Sequence, residues 1–230
     1  MTSGPATRAQ LASGSVACGL TLLPAQLDQL LAYLDLIQKW NKVYNLTAVR
    51  DPAEMLTHHL LDSLAVIAPL RRQLAAMAYA RDGADEPRAS GPIFRLLDVG
   101  SGAGLPGVVI AICCPEVLVD CVDTVAKKAA FINQVAVALK LPNLRSIHAR
   151  VENLTQQYDV ISSRAFASLI DFTAWSGGAL QGGGVWLAMK GQHPQPEIDV
   201  LSPGIKVFHV EQLTVPGLDA QRCIVWMRRA

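Results

Sequence analysis

Residues 95–107 read R-L-L-D-V-G-S-G-A-G-L-P-G, and they hold the strongest structural signal in the chain. The apolar run from Ile93 to Val99 predicts a buried parallel strand. An apolar helix pattern begins at Leu105, and between the two stand the glycines Gly100, Gly102 and Gly104. Because glycine has no Cβ, the backbone can turn sharply here and lie against a ligand, beside the free N–H groups of the helix start. This order of strand, glycine turn and helix predicts a nucleotide-derived ligand at the carboxyl end of the strand.

The acid Asp98 distinguishes between two kinds of nucleotide ligand. The dinucleotide fingerprint spaces its glycines as G-x-G-x-x-G and binds a pyrophosphate at the helix start. Here the glycines alternate, Gly107 gives only a looser match, and a carboxylate two positions before the first glycine would repel a pyrophosphate. That carboxylate suits positive charge near the turn, such as the amino group and sulfonium of S-adenosylmethionine. We therefore predict that Asp98, Gly100 and Gly102 bind this cofactor.

A second acid stands at the end of the next predicted strand. Val117–Val122 reads as strand two, and Asp123 follows it. An acid about 20 residues after the glycines is placed to hydrogen-bond ribose hydroxyls, which NAD and S-adenosylmethionine share. The alternative is a carboxylate that caps the next helix, with Lys127 and Lys128 as its partners. The two interpretations are compatible.

A third strand end adds an apolar residue and an acid. Leu144–Ile147 predicts strand three, and Val151 and Glu152 follow it. Because the carboxyl ends of parallel strands meet at one edge of a sheet, these two side chains are placed to frame an adenine.

Composition bounds the class of protein. The chain has 230 residues, of which half are hydrophobic, so one sizeable core is expected. The net charge of +1 argues against binding nucleic acid through overall charge, but it leaves room for a local basic face. The five cysteines show no C-x-x-C spacing, which favours free thiols in a reducing cytoplasm. No metal-ligand cluster is predicted, and no apolar run has the length of a membrane span.

The remaining pattern predicts the architecture. From Ile93 onward, five strands alternate with helices, and Lys206–Thr214 and Cys223–Arg228 read as an antiparallel hairpin that closes the sheet. The fold class is therefore α/β, with a Rossmann-like, mostly parallel sheet of seven strands, the architecture of class I S-adenosylmethionine-dependent methyltransferases. An N-terminal helical segment precedes it, in which Pro24–Trp40 carries an apolar stripe and Asp51 opens a further helix.

The domain organisation follows from these elements. We expect residues 1–16 to form a flexible tail. Residues 17–92 are predicted to be a helical segment ending in a polar loop at Ala80–Pro92, packed on the core. Residues 93–230 form the predicted methyltransferase domain, and the whole is expected to be one compact unit.

At this point the motifs carry a family resemblance. They keep the family's order from about residue 19 onward and comprise W-N-K-V-Y-N-L-T-A-V-R at 40–50, H-L-L-D-S at 59–63, D-V-G-S-G-A-G-L-P-G at 98–107, R-V-E at 150–152, S-R-A-F-A-S at 163–168 and K-G-Q at 190–192. In these motifs the chain resembles the bacterial 16S ribosomal RNA methyltransferase G family, also called glucose-inhibited division protein B. The first and fifth motifs are the most specific, because the glycine stretch occurs in many methyltransferases.

The resemblance implies a reaction and a partner. It implies methyl transfer from S-adenosylmethionine, with S-adenosylhomocysteine as product, to N7 of a guanine in the loop around position 527 of 16S rRNA. The partner is that RNA in the small ribosomal subunit or an assembly intermediate, in the cytoplasm, with no membrane and no obligate protein partner. The implied site residues are Gly100, Leu105, Asp123, Val151, Glu152 and Arg164 for the cofactor, and Asn45 and His59 in the pocket.

The residues after strand four agree with guanine N7 as the acceptor. Methylation of an exocyclic amine usually goes with an Asn/Asp-Pro-Pro-aromatic motif at this position, and methylation of C5 needs a cysteine after a proline. The chain has S-S-R-A-F at 162–166 instead. Guanine N7 carries an in-plane lone pair and needs no general base, so catalysis rests on proximity and orientation. Arg164 either stacks on the guanine or donates to its O6, or it forms an ion pair with Glu152 or Asp98.

Two other functions share some of these features. An NAD(P)-dependent reductase would share the glycine turn and Asp123, but the chain lacks a Tyr-x-x-x-Lys pattern and Asp98 speaks against a pyrophosphate. A non-catalytic RNA-binding module on the same fold would be expected to lose the acids that face the cofactor, and all three are present.

Overall fold

The computed structural model describes residues 4–82 and 94–230, in which strands and helices alternate as predicted. The strands are β1 (Phe94–Val99), β2 (Val117–Asp123), β3 (Leu144–His148), β4 (Tyr158–Arg164), β5 (Leu180–Lys190), β6 (Ile205–Leu213) and β7 (Arg222–Arg229). The α-helices are α1 (Pro5–Ala17), α2 (Pro24–Tyr44), α3 (Pro52–Met55), α4 (Asp62–Leu64), α5 (Ile67–Asp82), α6 (Gly107–Cys113), α7 (Ala126–Ala138), α8 (Leu169–Ser176) and α9 (Gln195–Asp199). A π-helix at Leu56–Leu61 joins α3 to α4.

The seven strands form one sheet in the order β3-β2-β1-β4-β5-β7-β6. Pairs among β1 to β5 are parallel, whereas β7 pairs antiparallel with both β5 and β6. The predicted closing hairpin is therefore confirmed. The strand order runs one way from β1 to β3 and the other way from β4, so the direction reverses between β1 and β4. In open α/β sheets, ligands bind at the carboxyl ends of the strands at such a reversal.

Two apolar clusters cover the faces of this sheet. The larger cluster joins α1, α2, α5, α6 and α7 to one face and includes the fully buried Leu30, Ile110 and Phe131. The other cluster packs α8 on the opposite face, with Phe172 and Trp186 at its centre. A parallel sheet buried on both faces needs nearly continuous apolar strands, and the burial of β1 and β4 agrees with this.

The N-terminal residues depart from prediction, because a helix stands where a flexible tail was expected over residues 1–16. Pro5 opens α1, and Leu11, Gly14 and Ser15 are buried in it. A Cβ on Gly14 would lie 2.6 Å from a methyl carbon of Leu61, so the helix packs on the π-helix through small residues. Small residues give little hydrophobic periodicity, which explains why the pattern read as a tail.

The helical segment also ends differently from the prediction. A loop was expected over Ala80–Pro92, but residues 80–82 continue α5. The rest of that predicted loop, and Ile93 of the predicted first strand, lie outside the described residues. Asp51 opens α3 as predicted, because its carboxylate accepts the N–H of Ala53 at 2.8 Å. Within the described ranges, no helix is long and apolar enough to cross a membrane.

Candidate functional site

Two adjoining pockets open at the carboxyl ends of β1, β4 and β5, at the reversal of strand order. The first pocket has a volume of about 500 Å³ and the second about 450 Å³. Both are lined by Gly100 and Ala165, which form the wall between them. Ala165 has a φ of +50°, a backbone conformation that costs about 1–3 kcal/mol in a residue other than glycine and that clusters at functional sites.

The first pocket is assembled from distant parts of the chain. The loop after α2 gives Thr47, and the π-helix gives His58 and His59. The glycine turn supplies residues 100–105 of its wall except Gly104. The lining also includes Asp62, Arg164, Met189, Lys190 and Arg222.

The second pocket lies on the β2 and β3 side of the glycine turn. The strand ends supply Asp123, Val151 and Glu152 to its wall, as the sequence predicted for neighbouring strand ends. Phe166 and Trp175 line the opposite side, with ring centroids 5.8 Å apart in an edge-to-face arrangement. The pocket thus combines acids, an apolar floor and aromatic rings, a set suited to a nucleoside.

The glycine turn is held open by backbone conformations that favour glycine. Gly100, Gly102 and Gly104 have φ values of +65°, +58° and +92°. A Cβ on Gly100 would lie 2.1 Å from Cδ2 of Phe166, so that ring fixes the turn from above. Tyr33 of α2 fixes it from below, because its buried hydroxyl donates to the carbonyl of Ala103 at 2.6 Å.

Asp98 lies beneath the turn rather than in the wall of either pocket. Its carboxylate is fully buried and accepts the hydroxyl of Ser162 at 2.8 Å and the N–H of Gly107 at 3.1 Å. Burial raises the pKa of Asp98 to about 7, although those hydrogen bonds act in the opposite direction. Asp98 therefore anchors the start of α6 to β1 and β4. The sequence predicted that this carboxylate faces the cofactor, but it lies beneath that surface.

Asp123 bonds to the loop before α7 and also borders the second pocket. One carboxylate oxygen accepts the N–H of Gly102 at 3.0 Å, and the other accepts the N–H of Val125 at 2.9 Å, just before α7. Lys128 lies 3.6 Å from the first oxygen. The side chain is buried yet borders the second pocket. It therefore ties the turn to the helix start while keeping an edge toward the pocket.

Arg164 makes an ion pair that the sequence did not predict. Its Nη1 donates to the carboxylate of Asp62 and to the backbone carbonyl of His58, both at 2.9 Å. An ion pair with Glu152 or Asp98 was one of the predicted alternatives, and the structure corrects the partner to Asp62. The His58 carbonyl belongs to the π-helix, so this bond ties the end of β4 to that helix.

His59 is a buried histidine in the wall of the first pocket. Its Nε2 lies 2.9 Å from the hydroxyl of Thr47, whereas its Nδ1 is buried and has no partner among the described residues. Burial, reinforced by the Arg164 cation, lowers the pKa of His59 to about 4. The imidazole is therefore uncharged at neutral pH and a weak proton acceptor.

Most of the predicted site residues line one of the two pockets, whereas two of them, Asp98 and Asn45, do not. Gly100, Gly102, Leu105, His59 and Arg164 line the first pocket, and Gly100, Asp123, Val151 and Glu152 line the second. Asn45 lines neither pocket. It is exposed, with φ +50° and ψ +56°, and ends α2 as a left-handed C-cap. An αL asparagine is a common helix terminator, so Asn45 caps α2 in this structure and does not line the pocket where the resemblance placed it.

Sequence reasoning missed several residues of the site. Asp62 and Arg222 line the first pocket and bond to each other at 2.9 Å, although 160 positions separate them. Asp62 stood inside the H-L-L-D-S motif, which was the only signal for it. Lys190 borders the same pocket, but its ammonium is paired with Glu197 at 2.8 Å. In the described part of the chain, no group of His, Cys, Asp and Glu side chains is arranged to hold a metal ion.

Solved structures share this fold at low sequence identity. TrmN from Thermus thermophilus superimposes with a TM-score of 0.54 and 18% identity, over 76% of this chain and 53% of that chain. A point mutant of MtNAS gives a TM-score of 0.51 and 13% identity, over 90% of this chain and 74% of that chain. Together with the sheet order, this likeness agrees with the predicted class I methyltransferase fold.

Sequence comparison identifies the family. The family model described as rRNA small subunit methyltransferase G matches residues 26–225. Ribosomal RNA small subunit methyltransferase G of Paracidovorax citrulli is 65% identical over 223 residues, covering 97% of this chain and 90% of that protein. The protein of the same name from Polaromonas sp. is 66% identical over 218 residues, covering 95% and 92%. These matches favour the predicted methyltransferase over the reductase and the non-catalytic module. The chain belongs to the ribosomal RNA small subunit methyltransferase G (GidB) family.

Proposed function

We propose that this chain transfers the methyl group of S-adenosylmethionine to N7 of a guanine in 16S rRNA, in the loop around position 527. The observation that carries the proposal is the pair of pockets that meet at Gly100 and Ala165. One pocket suits a nucleoside, and the other offers room for the reacting group and an acceptor base. Relatives at about two-thirds identity are named ribosomal RNA small subunit methyltransferase G, which supports methyl transfer to small-subunit rRNA.

The residues present fit the cofactor. A Cβ on Gly102 would have its nearest heavy atom at 3.9 Å, so the turn presents an open backbone surface. Asp123 borders the second pocket at the place where ribose hydroxyls would lie, and Val151 and Glu152 offer an apolar contact and an acceptor for the adenine. When bound, S-adenosylmethionine supplies an electrophilic methyl group on its sulfonium. Gly100 and Leu105 would hold that end of the cofactor in the first pocket.

The first pocket suits an acceptor that needs no base. Guanine N7 has its lone pair in the plane of the ring and loses no proton on methylation. His59 has a pKa of about 4, so it is uncharged and a poor base. It lines the pocket as a neutral side chain whose Nδ1 has no hydrogen-bond partner among the described residues. The task of the residues is to align the base and exclude water, which is catalysis by proximity and orientation.

Arg164 is the residue we assign to the guanine. Its Nη1 is held by Asp62 and the His58 carbonyl. Within residues 4–82 and 94–230, Nε and Nη2 of Arg164 have no hydrogen-bond partner, so they are available to the O6 of the base. A guanidinium at O6 would hold the Hoogsteen edge while N7 stays free to react.

The proposal implies a ribosomal partner and a place of action. The RNA would be presented by the small ribosomal subunit or an assembly intermediate, which exist in the bacterial cytoplasm. The candidates for contact with the RNA are basic residues near the strand ends, of which Lys128 and Arg150 line the second pocket and Lys127 lines neither pocket.

Transfer of a labelled methyl group tests the proposal. Small subunits from cells that lack the enzyme are incubated with methyl-labelled S-adenosylmethionine and the purified protein, and the label is mapped. We expect one label, at N7 of one guanine of that loop. Label at another atom would leave the cofactor and overturn the acceptor. Absence of label from small subunits and assembly intermediates alike, with S-adenosylhomocysteine still bound, would overturn the substrate.

A further inference from the structure

One buried carboxylate in the first pocket holds two arginines. The side chain of Asp62 is 4% exposed, and its two oxygens take different partners. Oδ2 accepts from Nη1 of Arg164, and Oδ1 accepts from Nε of Arg222, each at 2.9 Å. The two arginine side chains are 21% and 24% exposed, so both cations are largely removed from water.

These three residues come from three distant parts of the chain. Asp62 opens α4 directly after the π-helix, Arg164 ends β4, and Arg222 opens β7. The bonds span 102 and 160 positions along the chain. The hydrophobic pattern of a single element does not require these two bonds. They form only where the three elements meet, at the first pocket.

The electrostatics explain why a carboxylate is needed there. Two guanidinium groups side by side repel each other, and a partly buried charge is costly unless it is paired and hydrogen-bonded. The remaining bonds of the two side chains go to backbone carbonyls, of His58 and of Gln221. Asp62 is therefore the one anionic partner of both cations among the residues that the structure describes.

The bonding pattern leaves unused donors on both arginines. Asp62 and the carbonyls use Nη1 of Arg164, and Nε and Nη1 of Arg222. Nε and Nη2 of Arg164 and Nη2 of Arg222 have no partner in the described ranges. Both side chains line the first pocket. Because a guanidinium group is planar and rigid, a carboxylate bonded to some of its N–H groups fixes the direction of the others.

We propose that Asp62 is a positioning residue, which orients Arg164 and Arg222 toward the acceptor nucleotide without touching it. This inference rests on the proposed function, because it concerns the same pocket. The chemical class recognised is a purine nucleotide that presents hydrogen-bond acceptors, namely the carbonyl of the base and the adjoining phosphate.

The first test is Asp62→Asn, which keeps the shape and removes the charge. We expect kcat/KM for small subunits to fall by about 10- to 100-fold, while the Kd of S-adenosylhomocysteine stays within about threefold of the parent value. An unchanged kcat/KM would overturn the inference. If the parent protein itself transfers no methyl group, the proposed function fails instead, so the two failures are distinguishable.

A double-mutant cycle separates positioning from a purely structural role. If Asp62 acts in part through Arg164, the loss of activity in the variant Asp62→Asn/Arg164→Gln is smaller than the product of the two single losses. Multiplied losses would mean independent roles and would overturn the inference. Where Asp62→Asn does not fold, the same cycle is run with Arg222→Gln in every variant, because removal of that cation restores the charge balance.

Asp159 offers a matched control. It is another buried carboxylate, at the start of β4, the opposite end of the strand from Arg164. Its partners are the side chains of Arg81 and Gln181 and the N–H of Arg95 at 2.7 Å. Asp159→Asn is expected to lower the melting temperature and to leave kcat/KM of the folded protein within about twofold. An equal loss of kcat/KM in both variants would reduce Asp62 to a stabilising residue and overturn its positioning role.

Discussion

Gly100 is the residue on which both pockets depend. It lines each of them, its φ is +65°, and the ring of Phe166 occupies the space that a Cβ would need. Phe166 in turn packs edge-to-face against Phe172 and Trp175, so the ring has little freedom to withdraw. A side chain at Gly100 would therefore displace either the turn or the aromatic wall of the second pocket.

We predict that Gly100→Ala weakens binding of S-adenosylhomocysteine by at least about tenfold. A left-handed backbone costs about 1–2 kcal/mol for an alanine, and the contact with Phe166 adds to it. Gly183→Ala is the control, since Gly183 has a φ of +79° and no atom within 4 Å of its Cβ position. Calorimetric titration should find normal affinity in the control. Equal affinities in both variants would contradict the role of Gly100.

Asp98 should make folding stability depend on pH. Burial raises its pKa to about 7, so the folded chain takes up this proton at a higher pH than the unfolded chain does. Its contribution to stability is therefore full below about pH 4 and is lost as the pH rises through 7, by on the order of a few kcal/mol. Asp98→Asn should abolish this loss, because an amide can still accept from Gly107 and donate to Ser162.

Urea unfolding of the parent and of Asp98→Asn at pH 5 and pH 8 measures this effect. The difference between the two proteins isolates Asp98, because His59 titrates in both. A pH-independent difference would show that the carboxylate keeps its charge when buried and that the predicted linkage is absent.

The residues of the site differ in how well the sequence predicted them. Asp123 and Val151 were placed correctly in the wall of a ligand pocket, because strand ends of a parallel sheet must meet at one edge. Asp98 was expected to face the cofactor and lies beneath the turn instead. Which way a strand-end acid points depends on packing that spacing does not encode. Asp62 and Arg222 could not be paired from sequence, because no local rule links positions 160 apart.

At the scale of elements, α2 supports the glycine turn. The buried hydroxyl of Tyr33 donates to the carbonyl of Ala103, and the ring lies near Phe131 of α7. This places a helix of the N-terminal segment directly behind the glycine turn that we propose binds the cofactor. The segment is thus part of the site and more than a cover for one face of the sheet.

Tyr33→Phe tests that support. Loss of the hydroxyl leaves the Ala103 carbonyl unsatisfied and should cost about 1–3 kcal/mol of stability, with weaker binding of S-adenosylhomocysteine. Tyr158→Phe is the matched control, because the Tyr158 hydroxyl is also buried and donates to Asp120 at 2.7 Å, but at the start of β4. Both variants should unfold at lower urea concentration, and only Tyr33→Phe should lose affinity. Equal affinity in the two would separate α2 from cofactor binding.

Elements were predictable where their periodicity was strong. The seven strands were found within a few residues, because apolar runs between turn residues allow few other arrangements. The π-helix was missed, since Leu56 is followed by leucines both four and five positions later, at Leu60 and Leu61, and the pattern fits an α-turn and a wider turn alike. The helix α1 was missed because it packs through Gly14 and Ser15.

At the scale of the whole molecule, the net charge is small and several cations are paired with acids. The net charge is +1, and many basic side chains are engaged within the fold. These pairs are Arg72 with Glu211, Arg145 with Asp120, Lys190 with Glu197, and Arg222 with Asp62. A protein with a net charge of only +1 gains little free energy from phosphates alone, because affinity for nucleic acid rises with the number of phosphates neutralised.

We therefore predict weak binding to protein-free 16S rRNA, falling steeply with added salt. Methyl transfer to assembled particles should exceed transfer to the protein-free RNA at the same concentration by tenfold or more. Filter binding over a salt series, with a parallel transfer assay on both substrates, provides the measurement. Tight binding of an arbitrary RNA fragment that persists at high salt would contradict the prediction.

The bond between Asp62 and Arg222 also determines when the first pocket is completed during synthesis. Synthesis proceeds from the amino end, and the two partners are 160 residues apart, so the first pocket lacks one of its cations until Arg222 has been translated. Domains begin to fold during translation, but in a nascent chain that still lacks β7, Oδ1 of Asp62 has not yet met its partner Arg222. The first pocket is thus completed late in synthesis, after the other six strands of the described sheet have been made.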